Sequence, residues 1–123
     1  MELKPNMYVR TNMGDISKIK SIWENERVFF ENKVDIDYFT SDSFGISYLK
    51  ECKASHNIID LIEVGDYVNG HLIKAVYLDG VTKYIKLDNA YENGEGTRTY
   101  SEDIKSIVTK EMYSSVEYRV ETD

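Results

Sequence analysis

Apolar residues recur along this chain in short runs, each closed by a cluster of turn-forming residues. No window of helical length places apolar residues at i, i+3, i+4 and i+7, and the many Val, Ile and Tyr favour extended backbone. The pattern therefore predicts an all-β chain. Met7 to Thr11 reads as the first strand, and Asn12-Met13-Gly14-Asp15 turns it into a second over Ile16 to Trp23. Arg27-Val28-Phe29-Phe30 follows, Glu31-Asn32-Lys33 reads as a turn, and Val34 to Tyr38 alternates apolar with acidic. That alternation puts Val34, Ile36 and Tyr38 on one face and Asp35 and Asp37 on the other. Ser41-Asp42-Ser43 reads as a further break before a strand over Phe44 to Cys52, with Gly45 at a bulge or bend.

The stretch Asn57 to Gly70 closes one unit and opens another that begins as the first did. Pro5-Asn6 launches Met7-Tyr8-Val9, and Gly65-Asp66 launches Tyr67-Val68. In the second half Asp79-Gly80 meets the requirement of a two-residue type I′ hairpin for φ > 0 at both central positions. Val81 to Leu87 would return from it, and the polar stretch Asp88 to Thr99 reads as a long exposed loop. Each half should close on a hydroxyl-capped helical turn, at Ser55 and at Thr109, followed by a last strand: Leu61-Ile62 in the first, Val116 to Val120 in the second. Residues 1–63 and 64–123 are thus expected to be two small β units packed as one body. Their order is similar to SH3-like small barrels in tandem, each with one short helical turn before its last strand. Two β meanders can also look alike simply because short strands and turns have few ways to be written, and an α+β arrangement with a longer helix over 101–115 stays open.

At 123 residues, two such units are each small enough to need shared burial. The single cysteine, Cys52, excludes an internal disulfide and reads as a strand residue. No apolar run reaches the length of a membrane span, and Met1-Glu2-Leu3-Lys4 lacks the cationic and apolar regions of a secretory signal, so a cytoplasmic protein is expected. The net charge of −7 divides into −3 for residues 1–63 (8 basic, 11 acidic) and −4 for residues 64–123 (7 basic, 11 acidic). Nucleic-acid binding rests on Lys and Arg neutralising phosphates, so direct DNA or RNA binding is not expected of either half.

Catalytic machinery is hard to find. His56 and His71 lack a metal-ligand spacing, and neither a nucleophile elbow nor a phosphate-binding loop motif is present. Neither a cofactor nor a metal is implied, and the chain reads as a non-enzyme. Two features remain. Trp23 ends a strand beside a polar turn, and Tyr91 and Tyr100 flank the loop that carries Arg98. Rings beside a cation can stack a base and hold a phosphate. Tyrosine is equally common as a half-buried strand residue. The second feature is acidic: Glu24, Glu26, Glu31, Asp35 and Asp37 fall in a segment whose carboxylates could stand in for phosphates on a basic partner. A solvated sheet face explains them as well.

The segments Ala54 to Gly70, Met7 to Thr11 and Ile104 to Glu111 resemble a family of small proteins carried by phages and prophages of clostridia and related Firmicutes. The resemblance brings no catalytic motif, and residues 20–50 and 75–100 match nothing in it. It implies an accessory factor acting in the cytoplasm of the host bacterium, many of which block immunity by binding. Three readings follow. One is a homo-oligomeric sponge for a nucleotide immune signal, with Trp23, Tyr91, Arg98 and Tyr100 as ligand residues. Another is an anti-CRISPR-like acidic inhibitor that meets a host nuclease or other defence protein through Glu24, Glu26, Glu31, Asp35 and Asp37. The last is a phage structural or regulatory module that pairs by strand addition.

Overall fold

The computed structural model describes residues 2–88 and 98–112. It is mostly β, and it divides into two compact units, Met1–Leu61 and Ile62–Asp123. No helix among the described residues is long and apolar enough to cross a membrane. Tyr91 and the last strand expected at Val116 to Val120 lie outside the described residues.

The first unit is a five-stranded antiparallel sheet of β1 (Tyr8–Arg10), β2 (Ile16–Ile22), β3 (Arg27–Ile36), β4 (Phe39–Gly45) and β5 (Lys53–Ser55). Its order is β4-β3-β2-β1-β5, a meander whose last strand returns beside the first. Apolar residues at alternate positions drive it: Val28, Phe30, Val34 and Ile36 of β3 bury against Val9, Ile19, Phe44 and Leu49. Each such side chain contributes on the order of 1.5–3 kcal/mol on burial. Left-handed residues make the turns, with Gly14 at φ 88° after β1 and Glu26 at φ 64° between β2 and β3.

Several sequence expectations shift here. Glu31-Asn32-Lys33 is not a turn. It lies inside β3, where the register against β4 slips between Phe29 and Val34, so the three exposed polar residues are absorbed as a bulge. The turn falls instead at Asp37-Tyr38, with Asp37 at φ 54° and Ile36 paired to Phe39. Asp37 is therefore not on the strand with Asp35, and Tyr38, 99% exposed, is not on the buried face. Ser41-Asp42-Ser43 sits within β4, held extended by the pairing of Ser41 with Val34 and of Ser43 with Phe29. β4 ends at Gly45, and Ile46–Leu49 is a 3-10 turn that buries Leu49. Cys52 follows in a bend before β5, not in a strand.

The second unit is an antiparallel sheet of β6 (Tyr67–Val68), β7 (His71–Asp79), β8 (Thr82–Leu87) and β9 (Ile107–Val108), in the order β8-β7-β6-β9. Thr99 bridges the outer side of β8 through two backbone hydrogen bonds with Ile85, of 2.9 and 3.0 Å. Both units thus follow one circuit, a meander closed by a strand returning to the first. Val9 pairs with Ala54 in one and Val68 with Ile107 in the other. Each strand that returns to the first has a 3-10 turn before it, Ile46–Leu49 and Ser101–Asp103, but these are not the turns at Ser55 and Thr109. The Ser55 turn follows β5 as Ile58–Leu61, and Leu61-Ile62 is not a strand. No pairing joins β4 to β5, or Thr99 to β9, among the described residues, so both sheets are open rather than closed barrels.

The type I′ geometry also moves. Asn69 (φ 53°) and Gly70 (φ 84°) link Val68 to its partner His71 with both central residues left-handed. At the next hairpin Asp79 pairs with Thr82, so the loop is Gly80-Val81 and only Gly80 (φ 66°) is left-handed.

Candidate functional site

The one-residue shift of that loop builds the main side-chain cluster of the second unit. It sets Tyr77 opposite Tyr84 across β7 and β8, and the two rings stack with centroids 5.2 Å apart and planes at 22°. Tyr100, just before the 3-10 turn, lies tilted 6.1 Å from Tyr84. Thr99 carries Arg98 to the same place by bonding to Ile85. The Arg98 guanidinium lies over the Tyr84 ring at 4.3 Å, and its Nη1 donates to Asp79 Oδ2 at 3.2 Å. A side-chain hydrogen bond with Tyr100, and then the one with Asp79, push the Arg98 pKa above its usual value. The cluster therefore holds a fixed positive charge against a ring, beside Tyr77, which is 45% exposed.

Of the residues singled out in the sequence, Arg98 and Tyr100 are brought together, and Tyr91 lies outside the described residues. Trp23 belongs to the first unit. It is 58% exposed and packs on Phe29 with centroids 4.6 Å apart, on the hairpin that joins β2 to β3. That hairpin occupies the same place in its circuit as the β7–β8 hairpin, so each unit carries a ring pair at the equivalent position. The sequence reading missed Tyr77, Tyr84 and Asp79. With the turn at Asp79-Gly80, Tyr84 would face Ala75, and only the true loop pairs the two rings.

The five carboxylates do not form one row. Glu24 and Glu26 lie in the turn before β3, whereas Asp35 and Asp37 lie at its far end, roughly 20 Å away by the rise of the β4 residues paired along it from Gly45 to Phe39. The latter two are also engaged locally: Thr40 donates to Asp35, and Asn12 Nδ2 donates to Asp37 Oδ1 at 2.6 Å. Asp15 joins this end by accepting the Asp35 N–H at 2.5 Å. Burial raises its pKa, the Asp35 N–H bond pulls it back, and the Asp35 charge raises it further.

Other reactive side chains are placed structurally. His71 Nδ1 lies 3.3 Å from Asp88, and His56 is exposed on its turn. Burial raises the Cys52 thiol pKa above its ordinary value, which keeps it protonated and weakly nucleophilic. Asp66 is fully buried and accepts the N–H groups of Glu63 and Lys110, each at 2.8 Å. It clamps the loop before β6 to the start of a helical turn at Lys110. Among the described residues no group of three His, Cys, Asp or Glu could hold a metal ion. No protein-family model, curated protein or solved structure matches the chain.

Proposed function

We propose that this chain is a non-catalytic binding protein that sequesters a nucleotide on the Tyr77–Tyr84–Arg98–Tyr100 cluster. The observation that carries the reading is the Arg98 guanidinium 4.3 Å over the Tyr84 ring, with two further rings beside it. Bases stack on aromatic side chains for about 1–3 kcal/mol each, whatever their sequence. A phosphate replaces Asp79 at Arg98 at little cost, because solvent screens an ion pair as exposed as this one. The strand path of each unit, a meander closed beside its first strand after a 3-10 turn, supports an SH3-like assignment for both.

With the resemblance to small phage and prophage proteins, the proposed role is counter-defence: capture of a nucleotide immune signal in the cytoplasm of an infected bacterium by a homo-oligomer. Thermal unfolding in the presence of a panel of cyclic and adenine-containing nucleotides tests it. A ligand at a hundred times its Kd stabilises the folded chain by about 2.7 kcal/mol, and Tyr84→Ala should remove that gain. An unchanged melting temperature with every member of the panel overturns the reading.

A further inference from the structure

We infer that the cleft along β4 of the first unit is a separate binding site, for a small aromatic phosphate monoester held by Arg27. This site stands apart from the nucleotide reading of the second unit. The cleft has a volume of about 250 Å³ and is lined by Arg27, Phe39, Ser41, Ser43, Phe44 and Tyr48, among others. At about 30 Å³ per water, that volume corresponds to roughly eight waters, room for one ring and one phosphoryl group.

The lining is rich in donors and poor in negative charge. Arg27 Nε donates to Ser43 Oγ at 3.1 Å and Nη2 to the Ser43 carbonyl at 3.3 Å, which fixes the plane of the guanidinium. Two of its five N–H groups are used there, and among the described residues Arg27 has no carboxylate within ion-pair distance. Arg98 differs in this respect, being paired with Asp79 at 3.2 Å. A guanidinium held in plane presents its remaining edge as a fork that matches two phosphate oxygens. The oxygen of Ser43 accepts from Arg27, and that of Ser41 accepts from the Ser43 N–H at 3.1 Å. The hydroxyl protons of both serines are therefore left to donate to an acceptor-only ligand.

The rings supply the aromatic half of the specificity. Phe39 is 64% exposed and Tyr48 60% exposed, and Tyr48 is set by its tilted contact with Phe44 at 6.4 Å. A small ligand fits better than an added strand. The N–H and C=O of Ser43 already carry side-chain partners, which interrupts at that position the ladder that an extended peptide needs.

Titration of the amide ¹H–¹⁵N spectrum with phenyl phosphate, phenol and inorganic phosphate tests the site. Phenyl phosphate should shift the amides of Ser41 to Tyr48 and bind at least about tenfold more tightly than either fragment. Arg27→Gln should weaken it at least about tenfold, and Arg27→Lys should recover only part of the loss, since a point charge lacks the fork. Tyr48→Ala provides a second variant should Arg27→Gln disturb the strand, and it should weaken phenyl phosphate while leaving inorganic phosphate unchanged. Absence of shifts between Ser41 and Tyr48, phenol binding as tightly as phenyl phosphate, or full affinity in Arg27→Gln each overturns the inference. Nucleotide shifts confined to Tyr84 and Thr99, without any for phenyl phosphate, would sink this site and leave the proposed function standing. The reverse pattern would do the opposite.

Discussion

Replacing Asp66 with Ala should come close to unfolding the second unit. The carboxylate is fully buried, and each oxygen accepts one backbone N–H at 2.8 Å, from Glu63 and from Lys110. A hydrogen bond to a charged group contributes about 1.5–3 kcal/mol, and truncation leaves both donors without their acceptor. The expected loss is about 3–5 kcal/mol. A unit of this size has a total stability of roughly 3–9 kcal/mol, so much of it goes. The Lys110–Glu63 ion pair at 2.6 Å survives the substitution, but its partners face solvent, which screens their attraction, and it cannot substitute. Asp66→Asn should lose about half as much, because the amide keeps one acceptor and turns a donor toward the other N–H. Urea unfolding followed by far-ultraviolet circular dichroism measures the loss. Trp23, the only tryptophan, reports separately on the first unit. A loss below about 1 kcal/mol in Asp66→Ala, with the Lys110 amide still protected from hydrogen exchange, would refute the clamp.

Asn69→Ala should cost about 2 kcal/mol in the same urea assay. Asn69 tolerates φ 53°, accepts the N–H groups of Lys105 and Ser106 at 2.7 and 3.1 Å, and donates to Asp103 at 2.9 Å. Asn69→Gly should recover only the backbone part. Asp15 has a raised pKa in the folded chain, so its contribution is fully present below the ordinary carboxylate pKa of the unfolded chain and is lost as pH rises through the raised one. Asp15→Asn keeps an acceptor for the Asp35 N–H without the charge. It should melt higher than the parent chain at pH 7, with the gap closing below the ordinary carboxylate range, and a lower melting temperature at pH 7 would refute this. In calorimetric titrations with a nucleotide that binds, Asp79→Asn should raise affinity by up to about fivefold by releasing Arg98, and weaker binding would remove Asp79 as a competitor for the guanidinium.

The amino-acid pattern by itself determined the β class and most strand positions, because alternation of apolar and polar residues is local and Val9, Ile19, Val28, Val34 and Ile36 all bury as it requires. It also showed the common opening of the two halves, since Tyr8-Val9 and Tyr67-Val68 occupy matching first strands. Tertiary structure alone decided which polar clusters turn the chain. Glu31-Asn32-Lys33 and Ser41-Asp42-Ser43 have turn-forming composition, yet pairing between β3 and β4 holds both extended. The same is true of the candidate sites. Tyr84 meets Tyr77 only because the loop falls at Gly80-Val81, and Arg27 reaches Ser43 only across a strand pair. A shift of one residue in a turn changes every cross-strand partner beyond it. The physical reason is that register is set by the summed burial and hydrogen bonding of the whole sheet, which no local stretch of residues contains.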